Sequence, residues 1–219
     1  MAVQLELVHA VAEDAERTRP DHEVIAQLIE ADTRVLDVGC GNGALLSLLA
    51  RQCGARGRGL ERDKIKARGC VARGLAVVQG DAEHDLASFP ANGFDYVILS
   101  HTLQCVANPR EVLRQAARIG ARVIVSVANY GHYRTRLRLL GKGRMPPPTH
   151  RFTTRPSQWA DGEILRPCSV RDFATLAREE RLTIESAVPL SNGRPGAPFA
   201  KTIWRANVFA EEAVFLLAS

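Results

Sequence analysis

The chain has 219 residues, a formal net charge of +5 and a sequence pI near 9.2. This length suits one complete α/β domain, and the even spread of arginine disfavours nucleic acid as a partner. No segment reaches the roughly 18 apolar residues that a membrane-spanning helix needs, and no secretory leader is visible, so we expect a cytoplasmic protein with no membrane partner. The five cysteines form neither a metal-ligand pair nor an even disulfide framework. They indicate a reducing compartment and predict no metal site.

The first 30 residues predict a helical segment that packs beside the first strand. Val24, Ile25 and Leu28 recur at helical spacing after Pro20. The part that precedes this proline is either a lid over a cofactor or a frayed terminus.

A glycine-rich turn between an apolar strand and an apolar helix is the most informative feature of the chain. The strand runs over residues 34–38, and the helix is predicted from Ala44 onward. Glycines permit a tight turn and let the backbone approach a ligand closely, so the pattern predicts a nucleoside-cofactor pocket. We interpret the cysteine in the turn as a small residue rather than a nucleophile. The expected cofactor contacts in the turn are Gly39, Cys40, Gly41, Asn42 and Gly43.

Asp37 decides which cofactor the turn favours. The turn also matches the G-x-G-x-x-A pattern of dinucleotide sites, so a nicotinamide-dependent oxidoreductase is one alternative. A carboxylate at this position would repel a pyrophosphate, whereas S-adenosylmethionine (SAM) has no phosphate and carries a sulfonium and an ammonium group. The sequence therefore predicts that Asp37 contacts SAM, with S-adenosylhomocysteine as the product.

Three further predicted strands end at the same edge of the sheet. Glu61 ends the second strand, where an acid can accept hydrogen bonds from both ribose hydroxyls. Asp81 follows the third strand and is placed to accept the adenine amino group. The alternative is that both are ordinary surface acids at loop starts, but ligands of parallel sheets bind outside the carboxyl ends of strands. The predicted contacts beyond the turn are Glu61, Asp81, Ala82 and, after the fourth strand, Ser100.

A polar and aromatic turn after the fifth predicted strand, residues 121–127, is the best candidate for the acceptor side. His132 could take a proton from the acceptor, Tyr130 could position it, and His101 is the competing base. The alternative is that His132 only caps a loop. In methyl transfer, the proximity of nucleophile and methyl group can supply most of the catalysis. The expected substrate contacts are Asn129 and Arg134, the latter through a carboxylate or phosphate of the acceptor.

Two glycine- and proline-rich segments, 141–168 and 189–207, are predicted to be insertions that cover the acceptor site, the first as a lid and the second without regular structure. Between them, Ser169 is expected to cap a helix over residues 170–181. The sheet is completed by a sixth strand, 183–188, and an antiparallel last strand, 212–217. The sequence thus predicts one domain, 1–219, with a doubly wound, mostly parallel seven-stranded sheet and helices on both faces.

The motifs in this order resemble those of class I SAM-dependent methyltransferases and, among these, the MetW family. The similarity includes residues 34–49, 79–81, 94–104 and 131–134. It implies a Rossmann-like fold, methyl transfer to a small polar or anionic acceptor, and a link to methionine biosynthesis. The alternative that the resemblance implies is a non-catalytic regulatory partner of a homoserine O-acyltransferase. The chain departs from the family pattern at 162–166, which lacks the usual Asn-Ile-His, and before Asn129, where a proline is expected.

Overall fold

The computed structural model describes residues 19–143, 166–200 and 202–218. The predicted N-terminal lid and most of the first predicted insertion lie outside these residues. The described elements are α1 (Pro20–Leu28), β1 (Arg34–Val38), α2 (Ala44–Cys53), β2 (Arg56–Glu61), α3 (Lys64–Ala72), β3 (Val77–Gln79), α4 (Ala82–Asp85), β4 (Phe94–Ser100), α5 (Pro109–Ile119), β5 (Gly120–Ala128), α6 (Tyr133–Lys142), α7 (Val170–Glu179), β6 (Thr183–Ser191), β7 (Arg194–Pro195), α8 (Ile203–Phe209) and β8 (Glu212–Ala218).

Two helices begin where a side chain satisfies their first backbone amides. In α7, Ser169 and Asp172 form a reciprocal capping box, as the position of Ser169 predicts. In α5, the side chain of Asn108 accepts a hydrogen bond from the backbone of Glu111, and Pro109 occupies the first turn. Sequence-local signals therefore account for the starts of these two helices.

The strands form one sheet in the order β3-β2-β1-β4-β5-β8-β6-β7. Neighbouring strands from β3 to β5 are parallel, and β8 pairs antiparallel with both β5 and β6. The predicted fold class, with its antiparallel last strand, is confirmed. Within the described residues the sheet has eight strands rather than seven, because the short β7 pairs with the end of β6.

The expectation that residues 189–207 lack regular structure is wrong. Strand β6 continues to Ser191, turns back through Asn192 and Gly193, and pairs with β7, and α8 follows. Asn192 and Gly193 both have positive φ, the conformation that an Asn-Gly hairpin turn adopts. The Asn-Gly pair is a local hairpin signal, and the count of glycines and prolines in the segment concealed it.

Both faces of the sheet are covered by helices. Leu36 and Val38 of β1 belong to a core with residues of α5, α7 and α8, whereas Val35 packs with residues of α1 and α2. Successive side chains of a strand point to opposite faces, so one short strand contributes to both cores. This packing holds the carboxyl ends of β1, β2 and β4 in fixed relative positions. No helix among the described residues has the length and apolar character of a membrane span.

Candidate functional site

A crevice of about 460 Å³ lies at the carboxyl ends of β1, β2, β3 and β4. Parallel α/β sheets bind their ligands at this edge. The crevice brings together side chains from four separate strand ends, as the sequence predicts. The predicted cofactor contacts that line it are Gly39, Gly41, Glu61, Asp81, Ala82 and Ser100.

The glycine turn requires its glycines at two positions. Gly39 has a φ of 75°, and a Cβ there would lie 2.5 Å from Oγ1 of Thr102. Gly43 also has a φ of 75°, and its Cβ would lie 2.5 Å from Cδ1 of Leu75. Side chains at either position would therefore combine backbone strain with a steric clash. The turn keeps its backbone exposed to the crevice only because these residues are glycines.

The two residues of the turn that are not glycine, Cys40 and Asn42, support its shape. The Asn42 side chain accepts a hydrogen bond from the Ala44 amide at 3.1 Å, at the start of α2. The Cys40 side chain is buried, and its hydrogen bond with the Cys70 thiol, together with burial, raises the pKa of Cys40 above its usual range. A thiol that resists ionisation is a poor nucleophile, which agrees with the interpretation of Cys40 as a small turn residue.

Glu61 connects β2 to the glycine turn. Its Oε2 accepts a hydrogen bond from the Gly41 amide at 2.8 Å, and its Oε1 accepts one from the Asp63 amide at 2.8 Å. The residue is 8% exposed, so two backbone amides stabilise a nearly buried carboxylate. Each oxygen has a further lone pair, which allows Glu61 to accept hydrogen bonds from a diol without losing its orientation.

Asp81 caps the short helix α4, as well as lining the crevice. Its Oδ1 accepts a hydrogen bond from the Glu83 amide at 2.8 Å, and its Oδ2 lies 3.9 Å from the Arg62 guanidinium. The alternative reading of Asp81 as a loop-start acid is thus compatible with its place at the crevice. Glu61 and Asp81 line one opening because β2 and β3 are neighbours in the sheet.

Asp37 lies beneath the crevice and is not one of the residues that line it. It is 2% exposed, and its Oδ1 is buried without a hydrogen-bond partner. Burial raises the pKa of Asp37 to about 7, the nearby charges of Asp21 and Glu61 add to this, and Arg19 opposes it. A buried carboxylate oxygen without a hydrogen bond is costly, and a cationic ligand would offset that cost.

His101 is the first residue after β4 and has a φ of 54°. A non-glycine residue with positive φ is uncommon, and such strain is concentrated at functional sites. The backbone amide donates hydrogen bonds to the side chain of Ser126 at 3.0 Å and to its carbonyl oxygen at 3.2 Å, which hold this conformation. The ring is 6% exposed, and the residue lines the crevice.

His132 and Tyr130 do not line this crevice. His132 begins α6, where its Nδ1 accepts a hydrogen bond from the Arg134 amide at 3.2 Å, and its ring lies 4.5 Å from that of Tyr133. Tyr130 lines a second pocket of about 360 Å³ together with Cys168. Of the two candidate bases, His101 lines the crevice and His132 does not. The catalytic roles of His132 and Tyr130 stay predictions, and the capping alternative for His132 matches the geometry.

Asn129 has a structural role in the described chain. Its Nδ2 donates hydrogen bonds to the carbonyls of Ala206, Asn207 and Ala210, and its Oδ1 accepts them from two backbone amides. The residue is 6% exposed. The amide therefore joins three elements, and its predicted contact with a substrate stays a prediction. Arg134, the other expected substrate contact, has a 64% exposed side chain that lies 3.9 Å from Glu211.

Comparison with known proteins decides the family. The model of the family described as "Methionine biosynthesis protein MetW" matches residues 19–217. The chain belongs to the MetW family. It is 34% identical over 176 residues to the bifunctional methionine biosynthesis protein MetXA/MetW of Rhodopirellula baltica, a match that covers 77% of this chain and spans only 28% of that protein's length.

Other relatives of this MetW family member are methyltransferases. It is 27% identical to a ubiquinone biosynthesis O-methyltransferase of Ralstonia nicotianae, over 88% of this chain and 93% of that one. A SAM-dependent methyltransferase of known structure from Thermotoga maritima, a possible histamine N-methyltransferase, has a TM-score of 0.61, with 97% and 91% of the two chains covered and 17% identity. An O-methyltransferase of neocarzinostatin biosynthesis, solved with SAM, has a TM-score of 0.56 and is 19% identical. The match covers 89% of this chain and 52% of that one. The structural likenesses confirm the class I methyltransferase fold.

Sequence reasoning did not find the polar residues that α1 brings to the crevice in this MetW family member. Asp21 is fully buried, and its Oδ2 accepts hydrogen bonds from Ser100 at 2.7 Å, Ser126 at 2.9 Å and Arg19 at 3.1 Å. Arg19 also donates a hydrogen bond to Ser100 and lines the crevice. In the sequence, an acid after Pro20 has the pattern of an ordinary helix start. Only the packing of α1 across the ends of β4 and β5 places it at the site.

Proposed function

We propose that this protein is a SAM-dependent methyltransferase that acts on a small polar or anionic acceptor. The observation that carries the proposal is the crevice of a class I methyltransferase fold, with Glu61 held beside the glycine turn and the buried Asp37 oxygen beneath it. SAM supplies an activated methyl group. The chain itself supplies the binding groups and the orientation.

The residues of the crevice fit SAM part by part. In this proposal Glu61 accepts hydrogen bonds from the ribose hydroxyls, and Asp81 with Ala82 binds the adenine; all three residues line the crevice. Asp37, whose Oδ1 accepts no hydrogen bond, provides a negative charge for the sulfonium or ammonium group. Gly39 allows the close approach of the ligand to the backbone. A dinucleotide fits less well, because the carboxylates of Asp37 and Glu61 would lie close to its phosphates.

Basic side chains beside the acids of the crevice support a polar or anionic acceptor. Arg19, Arg62 and Lys66 line the same opening as the cofactor contacts. Arg19 is bonded to Ser100 at the end of β4 and so has a fixed position. A guanidinium held in this way orients a carboxylate or phosphate, and holding the acceptor near the methyl group provides catalysis by proximity.

Calorimetric titration of the purified protein with SAM, S-adenosylhomocysteine and NAD tests the proposal. We expect micromolar binding of the first two and no binding of NAD. The Glu61→Gln variant should bind SAM about 10- to 100-fold more weakly, because it loses charge-assisted hydrogen bonds. The Asp95→Asn variant is the matched control, since Asp95 is an acid bonded to Arg34 at the other end of β4. Binding of NAD without binding of SAM would contradict the proposal.

A second candidate function is that of a regulatory partner of a homoserine O-acyltransferase. The relative that combines MetXA and MetW in one chain favours it, together with exposed apolar side chains on two helices. Leu137 and Leu140 of α6 are 61% and 86% exposed, and Trp204 and Phe209 of α8 are 63% and 55% exposed. Large exposed apolar side chains that share one region are typical of protein interfaces.

Co-purification with a homoserine O-acyltransferase tests this second function. The Leu140→Glu variant should weaken the association, because it places a charge in the apolar surface of α6. The control is Ile65→Glu, which changes an equally apolar, 56% exposed residue on α3. Association together with the absence of methyl transfer by the isolated chain would favour the regulatory role over catalysis.

A further inference from the structure

Three side chains of metal-ligating type meet beside the crevice. Asp21 comes from α1, His101 from the end of β4 and Glu212 from the start of β8. One ligand atom from each lies within 4.8 Å of the others. The proposed SAM contacts Glu61, Asp81 and Asp37 are not members of this group, so the cluster is a separate feature of the site.

The spacing of the cluster is that of ligands around an ion. The Nε2 of His101 lies 3.4 Å from Oε2 of Glu212 and 3.6 Å from Oδ2 of Asp21. Both separations exceed the usual range of N–H···O hydrogen bonds, which ends at about 3.2 Å. With metal–ligand bonds of about 2.1 Å, the separation between His101 and Glu212 corresponds to an angle of about 108° at the metal, close to tetrahedral.

Two carboxylate oxygens of the cluster are buried without a hydrogen-bond partner. They are Oδ1 of Asp21 and Oε2 of Glu212. The Asp21 side chain is fully buried, and that of Glu212 is 16% exposed. Buried polar atoms in folded proteins are normally hydrogen-bonded, so two such oxygens beside one imidazole favour the binding of a cation.

The positive charge of Arg19 does not replace such a cation. The hydrogen bonds that Asp21 accepts from Arg19, Ser100 and Ser126 all reach Oδ2, and Oδ1 is left for an ion. Arg19 and the two serines therefore fix the orientation of the Asp21 carboxylate without occupying Oδ1.

We propose that Asp21, His101 and Glu212 bind one divalent transition-metal ion of the zinc type. A nitrogen ligand with two carboxylates suits zinc better than magnesium or calcium, which prefer sets of oxygen ligands at octahedral or higher coordination. The ion can enter from the crevice, because His101 lines it. Three protein ligands leave a fourth coordination position on the ion. In the proposed methyl transfer, an oxygen of the acceptor fills this position. The metal site itself does not depend on that reaction.

Metal binding to the full chain tests this proposal directly. The purified protein is treated with EDTA, dialysed and titrated with Zn²⁺, Mg²⁺ and Ca²⁺ by calorimetry, and bound zinc is counted by elemental analysis. We expect one Zn²⁺ per chain with a dissociation constant in the micromolar range or below, and no comparable binding of Mg²⁺ or Ca²⁺.

Two ligand variants and a matched control decide whether the zinc binds at this cluster. Glu212→Gln and His101→Asn should each weaken zinc binding by about tenfold or more. Asparagine is chosen because it tolerates the positive φ at position 101. The control is His84→Gln, since His84 lies 3.7 Å from Asp81 in an exposed histidine–carboxylate pair outside the cluster. Circular dichroism of the metal-free proteins establishes that each variant is folded.

The absence of stoichiometric zinc, or zinc binding that neither variant changes, would overturn the metal site. Titration of SAM into the EDTA-treated protein distinguishes a failure of the metal site from a failure of the proposed function. SAM binding without zinc binding removes only the metal site, and zinc binding without SAM binding removes only the cofactor site.

Discussion

Asp37 combines deep burial with a carboxylate oxygen that accepts no hydrogen bond. Burial raises the pKa of Asp37 to about 7, so part of the folded population carries a proton there at neutral pH. Residues that destabilise the folded state while serving a ligand are typical of functional sites. Asp37 therefore allows the stability and the binding function of a single residue to be separated by experiment.

The first prediction concerns stability. The folded pKa of Asp37 lies above the value of 3.8 for the free side chain, so its ionisation is unfavourable in the folded state. The resulting loss of stability is absent below about pH 4 and grows as the pH rises to about 7. The Asp37→Asn variant should therefore be more stable than the wild type at about pH 8, by up to about 4 kcal/mol, and equal to it near pH 4.

Urea unfolding at several pH values measures this difference. The control is Asp95→Asn, which should be less stable than the wild type at neutral pH. Hydrogen bonds from Arg34 lower the pKa of Asp95, so its carboxylate stabilises the fold. An Asp37→Asn variant that is less stable than the wild type at pH values above 7 would show that the carboxylate has a stabilising partner.

The second prediction concerns the pH dependence of SAM affinity. If the ionised Asp37 attracts the cationic part of SAM, protonation of Asp37 should weaken binding as the pH falls below about 7. The Asp37→Asn variant should bind SAM more weakly and show a flatter pH profile. Calorimetry across this pH range provides the measurement. Equal profiles for the two proteins would remove Asp37 from the cofactor site.

At the scale of elements, Asn129 joins the end of β5 to the start of α7 and the end of α8. Its amide nitrogen bonds three carbonyls near the end of α8, and its oxygen bonds the amides of Gly131 and Val170. These segments lie far apart in the sequence, and one side chain satisfies backbone groups in all of them. An asparagine at the end of a strand has the pattern of a ligand contact, and the structure assigns it to this junction.

The third prediction follows from that junction. The Asn129→Ala variant leaves several buried backbone groups without partners, and we expect it to lose about 3 kcal/mol or more of folding free energy. Asn129→Asp should also be destabilised, because a carboxylate cannot donate to the three carbonyls. Denaturant unfolding measures both, and SAM titration of the folded fraction should show unchanged affinity. A stable alanine variant with impaired turnover would instead support the substrate-binding role.

The strands and helices with strong periodicity could be predicted from the sequence, because local burial patterns specify them. β1, β4 and β5 are apolar runs, and α7 carries its own cap in Ser169. The hairpin from β6 to β7 also had a local signal in Asn192 and Gly193. The helix α8 had none, because its only fully buried side chains are Ala206 and Asn207 and its apolar pattern is weak.

At the scale of the whole molecule, the sheet order makes one crevice from residues that lie between Arg19 and Val106 in the chain. Glu61 and Gly41 meet because β1 and β2 are neighbours, and Thr102 donates a hydrogen bond to the Val38 carbonyl because β4 lies on the other side of β1. The binding energy of a ligand in this crevice is therefore coupled to the folding of the entire sheet.

The fourth prediction uses this coupling. A ligand that binds only the folded state at a concentration of about 100 times its dissociation constant adds about 2.7 kcal/mol of stability. For a chain of this size, SAM should therefore raise the melting temperature by roughly 5 to 10 °C. Thermal unfolding followed by circular dichroism tests this, with NAD as the control. An unchanged melting temperature at saturating SAM would contradict a SAM site within the sheet.

The sequence alone determined the class of the fold, the glycine turn and the acids at the strand ends. These features depend on local physical chemistry: apolar periodicity, the conformational freedom of glycine, and the rule that parallel strands present their carboxyl ends at one edge. The predicted contacts that meet at the crevice, from Gly39 to Ser100, belong to this group.

Only the tertiary structure decided the surroundings of the remaining polar residues. His132 caps a helix, Asn129 joins three elements, and Asp21 meets His101 and Glu212 beside the crevice. The cap at His132 is a local contact, whereas the bonds of Asn129 to the end of α8 reach partners more than 70 positions away, and the contacts of Asp21 depend on the packing of α1 across the sheet. A histidine, an asparagine or an acid has the same local pattern in a cap, a junction or a metal site, and three-dimensional packing determines which one it becomes.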